Sequence, residues 1–394
     1  MKNNKQTYSL DNRIDYGIIL PVFILILMGL AALYVALTHN PLVDAVGTTM
    51  LKQVLWVLIG GVAVIILMQF SSKLLWKLTP LFYVLGLLVM TALIWFHDAD
   101  LAAVTGSRNW FNFGGLMFQP SELMKIAYIL MLAYAVTQHN SKYPHTVKND
   151  FILIGKMVLT TIPVIVLLKF QQDLGTTLVY VAILGGVFLM SGISWKIIIP
   201  AISIFAVVAI GVIYLVTTES GRGFLYDAGV KQYQLARIDS WLDPFHDPSG
   251  KSLQQAQALT AIGSGGFFGK GFNVSDVHVP VRESDMIFTV IGENFGFIGG
   301  CFMILMYFVL IYRMIRVCFD TNNEFYAYIS TGIIMMILFH VFENIGANIG
   351  LLPLTGIPLP FVSQGGSSLL GNMIGVGIML SMRFQKVDMK HARR

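Results

Sequence analysis

The sequence predicts an all-α polytopic membrane protein, with about ten transmembrane helices and one long extracytoplasmic loop that carries short amphipathic helices. Three observations carry this expectation. Hydrophobic residues make up 56% of the 394-residue chain and charged residues 12%, about half the charged share of a soluble domain. Apolar runs approaching the roughly 20 residues needed to cross a bilayer recur along the chain. Lys and Arg are concentrated in alternate connections, as short cytoplasmic loops require. This composition argues against a soluble enzyme, and a net charge of +5 spread over so apolar a chain gives no support to a nucleic-acid partner.

The runs are 16–37, 51–70, 78–96, 123–136, 151–170, 174–190, 197–216, 286–314, 326–345 and 369–382. An even number puts both termini on one side. Lys2, Lys5 and Arg13, then Lys73 with Lys77, Lys142 with Lys148, Lys196, Arg313 with Arg316, and the C-terminal Arg383, Lys386, Lys390, Arg393 and Arg394 mark that side as cytoplasmic. The first run follows Asp11, Arg13 and Asp15 and precedes no small-residue cleavage pattern, so it reads as a retained span. Residues 1–394 read as a single integral membrane domain, with 217–285 as the long loop within it. Segments 98–121, 217–285 and 351–368 fall on the outer side and are too long or too polar for simple turns, so they are expected to fold together there. Cys301 and Cys318 lie in or beside one apolar run without metal-ligand spacing, which predicts neither a disulfide framework nor a zinc site.

A charge at the centre of a spanning helix costs about 2.5–3.5 kcal/mol on insertion scales and needs a partner or a wet cavity. In Gln119-Pro-Ser-Glu-Leu-Met-Lys125, Pro120 and Ser121 read as a helix start and place Glu122 and Lys125 at i,i+3 on one face. They read as a neutralising pair or as cavity residues. Asp173 opens the sixth run, where an acid also complements the helix dipole. Asp285 ends the long loop at the membrane boundary, beside Arg282 and Glu283. A carboxylate there is either a helix N-cap or a partly desolvated base. Glu293, eight residues on, is too deep to pair with Asp285 and is expected to serve a polar cavity.

The ninth run carries His340, Asn344 and Asn348 at i, i+4, i+8, with Glu343 beside them. This stripe must face protein or water and reads as a structural hydrogen-bonded network. The following Ser363-Gln364-Gly-Gly-Ser367 turn precedes the last run and offers backbone N–H groups to an anion, or is a plain turn. In the long loop, 233–242 and 253–262 read as short amphipathic helices suited to the headgroup layer, the second ended by a glycine-rich stretch, 263–271.

Seven fragments in order, Gly106-Ser-Arg-Asn-Trp110, Gln119 to Glu122, Gln172-Asp-Leu-Gly-Thr176, Tyr233 to Pro244, Gly263 to Gly271, Arg282 to Gly292 and Pro358 to Ser367, cover nearly the whole chain. Together they resemble the SEDS family (shape, elongation, division and sporulation). Val279 to Phe288 leans toward its elongation branch, typified by RodA, rather than the division branch of FtsW. The chain departs from many relatives at 107–109, where they carry a further basic residue, so anion binding there would depend more on Arg108.

The resemblance implies a peptidoglycan glycosyltransferase that polymerises lipid II at the outer face of the bacterial cytoplasmic membrane, with inversion and release of undecaprenyl pyrophosphate. It puts the catalytic position on Asp285 and makes Arg108, Glu122, Lys125, Asp173, Arg282, Ser363, Gln364 and Ser367 candidate substrate contacts. Glu293, His340, Glu343 and Asn344 remain the structural polar network. A divalent cation, Mg or Mn, is one candidate stabiliser of the leaving group, and no organic cofactor is expected. The implied partners are lipid II and the growing glycan, membrane lipid, the elongation machinery and a class B penicillin-binding protein, because the chain shows no Ser-x-x-Lys nucleophile motif of its own. The competing class is a lipid II flippase, which would need a site near the midplane and alternating access. The singular residues here lie toward one surface instead.

Overall fold

The computed structural model describes residues 14–41, 45–114, 116–227, 232–247, 250 and 252–392. In chain order these form α1 (Tyr16–Thr38), α2 (Val46–Leu67), α3 (Ser72–Phe96), α4 (Ala99–Thr105), the strands β1 (Phe111–Phe113) and β2 (Leu116–Phe118), α5 (Pro120–Asn140), α6 (Val147–Gln171), α7 (Leu174–Met190), α8 (Trp195–Thr217), α9 (Glu219–Asp227), α10 (Gln232–Leu242), α11 (Leu253–Ser264), α12 (Ile287–Asp320), α13 (Glu324–Asn348) and α14 (Gly366–Ala392). The ten apolar runs fall on α1 to α3, α5 to α8 and α12 to α14. Seven of these, α1, α2, α3, α6, α8, α12 and α13, are long and apolar enough to cross a membrane among the described residues. α7 is apolar but has 17 residues, and α5 and α14 carry more polar groups.

Local chemistry sets the ends. Asp15, Ser71, Thr146 and Asp173 each cap a helix by accepting from a backbone N–H in its first turn. Pro120 occupies the first position of α5, where its missing N–H costs nothing. α6 stops at Gln172 in the left-handed region. α5 is buried along most of its length, including Glu122 and Lys125, and lies among α3, α6, α13 and α14. α8 buries only Ile198 and Val216 and is peripheral. Large apolar side chains such as Leu58, Leu88, Leu159 and Phe205 are exposed on the outer helices, the surface expected against lipid.

The three polar segments meet at one end of the bundle, as expected. Gln119 N–H donates to Ser367 Oγ at 3.0 Å, Arg237 donates to Leu354 O at 3.1 Å and Ser363 Oγ donates to Ser284 O at 2.6 Å. The opposite end holds the basic connections, and there Asp15 accepts from Arg313 at 2.8 Å and from Arg383 at 2.5 Å. Burial alone would push the Asp15 carboxyl up, but the two guanidiniums bring it below the ordinary range.

The amphipathic helices of the long loop form at the expected positions as α10 and α11, and both are tied to the end of α13. Trp241 Nε1 donates to Gly350 O at 3.0 Å and Gln255 Nε2 to Ala347 O at 2.9 Å. Ala256, Ala258 and Ala261 of α11 are buried, with α11 packed on α12. The cause is the end of α13, whose last carbonyls have no partner in their own helix and are capped by loop side chains.

α12 is broken at Gly296 (φ 63°, ψ −158°), and the glycine-rich stretch fills the break. Lys270 N donates to Glu293 O and Gly271 N to Asn294 O, while Phe297 N donates to Gly266 O and Ile298 N to Phe267 O, all at 2.9–3.2 Å. Backbone groups freed inside a spanning helix must be satisfied by protein. Only glycine allows this approach, because a Cβ at Gly296 would overlap the backbone nitrogen of Gly269.

Candidate active site

A polar cavity of about 130 Å³ lies at the end where the three segments meet, lined among others by Asn109, Gln119, Glu122, Asp173, His340 and Gln364. Asp173 organises one wall. Its carboxylate accepts from Thr176 N at 3.0 Å, from Asn109 Nδ2 at 2.7 Å and from Gln119 Nε2 at 3.1 Å. The cap of α7 thereby ties the 98–121 segment to the bundle.

Glu122 and His340 line the cavity, and Lys125 bridges them. Lys125 Nζ lies 2.9 Å from Glu122 Oε1 and 2.9 Å from His340 Nε2. His340 Nδ1 is 2.6 Å from Met336 O, and a carbonyl only accepts, so Nδ1 carries the proton and Nε2 receives the Lys125 ammonium. All three are buried. The expected Glu122–Lys125 pair is thus present, and its cation is committed to two partners.

Asp285 adjoins the cavity through its neighbours. Its backbone carbonyl accepts from Asn344 Nδ2 at 2.8 Å and Asn348 Nδ2 at 2.9 Å, so the α13 stripe holds the segment just before α12. Ser284 and Gly356 line the cavity, and a Cβ at Gly356 would lie 3.5 Å from Asp285 Oδ2. Burial pushes the Asp285 carboxyl above its ordinary range, against the opposing pull of Ser284 and of the Arg237 charge. Glu343, hydrogen-bonded to Thr355, is close enough to Asp285 for the two carboxyls to feel each other's charge.

Three expected contacts, Arg282, Ser363 and Ser367, serve other groups, and Glu293 of the structural network is bonded to the first of them. Arg282 is buried with its guanidinium bonded to Glu293 and Ser275, away from the polar cavity. Glu293 also accepts from Lys270 Nζ at 3.1 Å and from the Asp276 and Val277 N–H groups. It therefore anchors the long loop instead of serving a cavity. Ser363 and Ser367 are buried, and their hydroxyls bond Ser284 O, Leu359 N and Gln119 N. The anion site expected at 363–367 is narrowed as well, since Gln364 N donates to Glu283 O at 2.9 Å and Gly365 N to Gln53 Oε1 at 3.3 Å. The side chain of Gln364 remains at the cavity, and Arg108 is exposed with no side-chain partner among the described residues.

Comparison with known proteins places this geometry. The profile of the FtsW/RodA/SpoVE cell cycle proteins matches residues 16–387. The chain belongs to the FtsW/RodA/SpoVE family. It is 30% identical to the peptidoglycan glycosyltransferase MrdB of Escherichia coli K12 over 385 residues, 96% of either chain. It is 29% identical to a probable peptidoglycan glycosyltransferase FtsW of Hydrogenovibrio crunogenus over 376 residues, 93% of this chain and 90% of that one. A solved chain from a study of how a peptidoglycan synthase complex coordinates polymerization and crosslinking aligns with a TM-score of 0.75 and 26% identity, over 94% of this chain and 97% of that one.

Within this FtsW/RodA/SpoVE member, several site residues escaped the sequence reading. Asn109, Gln119, Arg237 and Asn348 are ordinary polar residues in sequence, and their partners lie 54 to 117 positions away. Asn348 was on the stripe, but no spacing announced that its partner was the carbonyl of Asp285. Among the described residues no three of His, Cys, Asp and Glu converge as a metal cage.

Proposed function

We propose that the chain is a peptidoglycan glycosyltransferase that polymerises lipid II into β-1,4-linked strands at the outer face of the bacterial cytoplasmic membrane, with both termini cytoplasmic. One observation carries the reading: a carboxylate, Asp285, is held by its main chain next to two residues that line a polar cavity, Ser284 and Gly356, in a chain that matches peptidoglycan glycosyltransferases end to end. The basic connections at the opposite end of the bundle support the orientation.

The acceptor GlcNAc 4-hydroxyl attacks the anomeric carbon of the lipid-linked strand. Asp285 takes the hydroxyl proton, and the anomeric C–O bond breaks with its electron pair leaving on undecaprenyl pyrophosphate. Displacement from the opposite face turns the α-linked donor into a β-glycoside, so the leaving anion needs a cation rather than a second acid. Lys125 is occupied by Glu122 and His340, which leaves Arg108 and Arg237 as the guanidiniums for this task. A divalent cation would be held by one or two carboxylates and the substrate phosphates, a common magnesium arrangement. Asp285 with Glu343 fits that shared role better than a protein cage, and the cation would supply charge neutralisation at the pyrophosphate.

Elongation is favoured by the 96% mutual coverage with MrdB, while the FtsW relative supports a division role as the second reading. A class B penicillin-binding protein is the partner that crosslinking calls for, and the synthase complex aligned above supports it. The test uses purified protein, alone and with that partner, given labelled lipid II and magnesium or manganese, with glycan read on gels. Polymer from wild type and a loss of about 10² to 10⁴-fold in Asp285→Asn is expected, the usual contribution of a general base. Polymer from the variant at wild-type rate would remove Asp285 as base, and none from wild type under any condition would favour a flippase.

A further inference from the structure

A second cavity, of about 260 Å³, lies where the end of α1 meets the last part of the long loop, lined by His39 and Asn40 on one side and by His278, Arg282 and Glu283 on the other. Nothing in the reaction above uses it. One short segment edges both cavities: Pro280 to Glu283 line this one, Ser284 lines the polar cavity, and Asp285 follows. Val281 sets the turn with φ 55°, a conformation in which a β-branched residue is strained. Ser284 N and Met286 N both donate back to Val281 O, at 3.2 and 3.4 Å. Glu283, Ser284 and Asp285 are only partly buried.

The lining offers unused polar groups. His39 Nδ1 lies 3.0 Å from Val35 O and so carries the proton, leaving Nε2 as a bare acceptor. Arg282 Nε is buried without a hydrogen-bond partner. The side chains of His278 and Glu283 make no hydrogen bond or ion pair among the described residues. Arg282 is already neutralised by Glu293, so the cavity lacks a free cation for phosphate. Mixed donors and acceptors on a small cavity, under the roughly 300 Å³ of a drug-sized site, suit an uncharged sugar ring. Two residues of chain put Glu283 and Asp285 within about 7 Å of each other, the scale of one sugar unit.

We propose that this cavity is a saccharide subsite, holding the sugar of the glycan strand adjacent to the one that reacts at Asp285. The assignment rests on the glycosyltransferase reading and adds a binding site to it. The test exposes full-length protein to a lipid-free GlcNAc–MurNAc tetrasaccharide bearing a photoactivated diazirine and maps the labelled peptides, with polymerisation measured on the same preparation. Labelling of 36–40 and 275–283 is expected, reduced about fivefold in the double variant His39→Ala, His278→Ala, the effect of losing about one hydrogen bond. The same variant is expected to make shorter strands. Both histidines are exposed, and an unchanged thermal midpoint would separate this effect from misfolding. Polymer made without labelling of these peptides would overturn the subsite and leave the glycosyltransferase reading standing. Labelling by a stem-pentapeptide probe in place of the saccharide would overturn the sugar assignment, and failure of wild type to polymerise would overturn the reading beneath both.

Discussion

Asn344 holds Asp285 by its main chain: the Asn344 amide donates to the Asp285 carbonyl at 2.8 Å and to the Ile357 carbonyl at 2.9 Å. The backbone of Asp285 is thus fixed by two amides of α13, Asn344 and Asn348, neither of which bonds the carboxylate. Asn344→Ala leaves the Ile357 carbonyl without this donor, at about 1–3 kcal/mol where buried, and leaves the Asp285 carbonyl to Asn348 alone. We expect a fall of at least about tenfold in polymerisation rate, from loss of positioning, with little change in the lipid II concentration at half-rate. Asn348→Ala, which leaves the Asn344 bond to Asp285 in place, should fall less. Initial rates against lipid II concentration check both, and a larger loss in Asn348→Ala would contradict the geometry.

The acid limb of the pH–rate profile should lie above the ordinary carboxylate range, because burial raises the Asp285 carboxyl and a base works only when ionised. Stability runs the other way. A carboxyl whose folded value is raised contributes stability below its unfolded value, and this is lost as pH rises through the folded value. Asp285→Asn should therefore be inactive yet unfold at a higher temperature than wild type near neutral pH. Thermal unfolding in detergent from about pH 4, near the Asp reference value, up to about pH 8 tests this sign, and a lower midpoint for the variant throughout would refute it.

Lys125→Met should destabilise more than the double change Glu122→Gln, Lys125→Met. Removing the cation alone strands a buried carboxylate, a cost of about 3–5 kcal/mol, whereas removing both charges avoids it. Midpoints of the two variants in one detergent give the comparison directly. Equal losses would mean that water reaches Glu122.

Gly296→Ala should detach the glycine-rich stretch from α12, since the new methyl would overlap Gly269 and the residue would be held at φ 63°. A strained backbone of this kind costs about 1–3 kcal/mol before the overlap is counted. Limited proteolysis at 263–271 should become faster in the variant. Unchanged cleavage would mean that the break is not held by this contact.

Much of the architecture could be read from local signals. Each apolar run became a helix because spacing and caps act over a few residues, and the Glu122–Lys125 pair followed from i,i+3 geometry alone. The hairpin from Phe111 to Phe118 was missed, as its strands have three residues each and too little alternation to register. Arg282 was expected beside Asp285 because three positions separate them, but the left-handed turn at Val281 precedes it and Glu293 draws its guanidinium inward. The turn at 363–367 looked ready for an anion only because Gln53, some 310 residues earlier, gives no hint of reaching it. What the sequence concealed was pairing across the bundle, where each partner is common and only the tertiary fold selects it.

Asp15 introduces α1, and Arg383 sits near the end of α14, 368 positions later. During synthesis the acid emerges before either guanidinium, so until α14 is made the nascent chain carries a carboxylate whose full complement of partners does not yet exist. The bundle can shut this end only after the final helix enters the membrane. A chain truncated before Arg383 should keep only the Arg313 partner of Asp15 and remain ajar at the end opposite the polar cavity, a natural mark for membrane quality control.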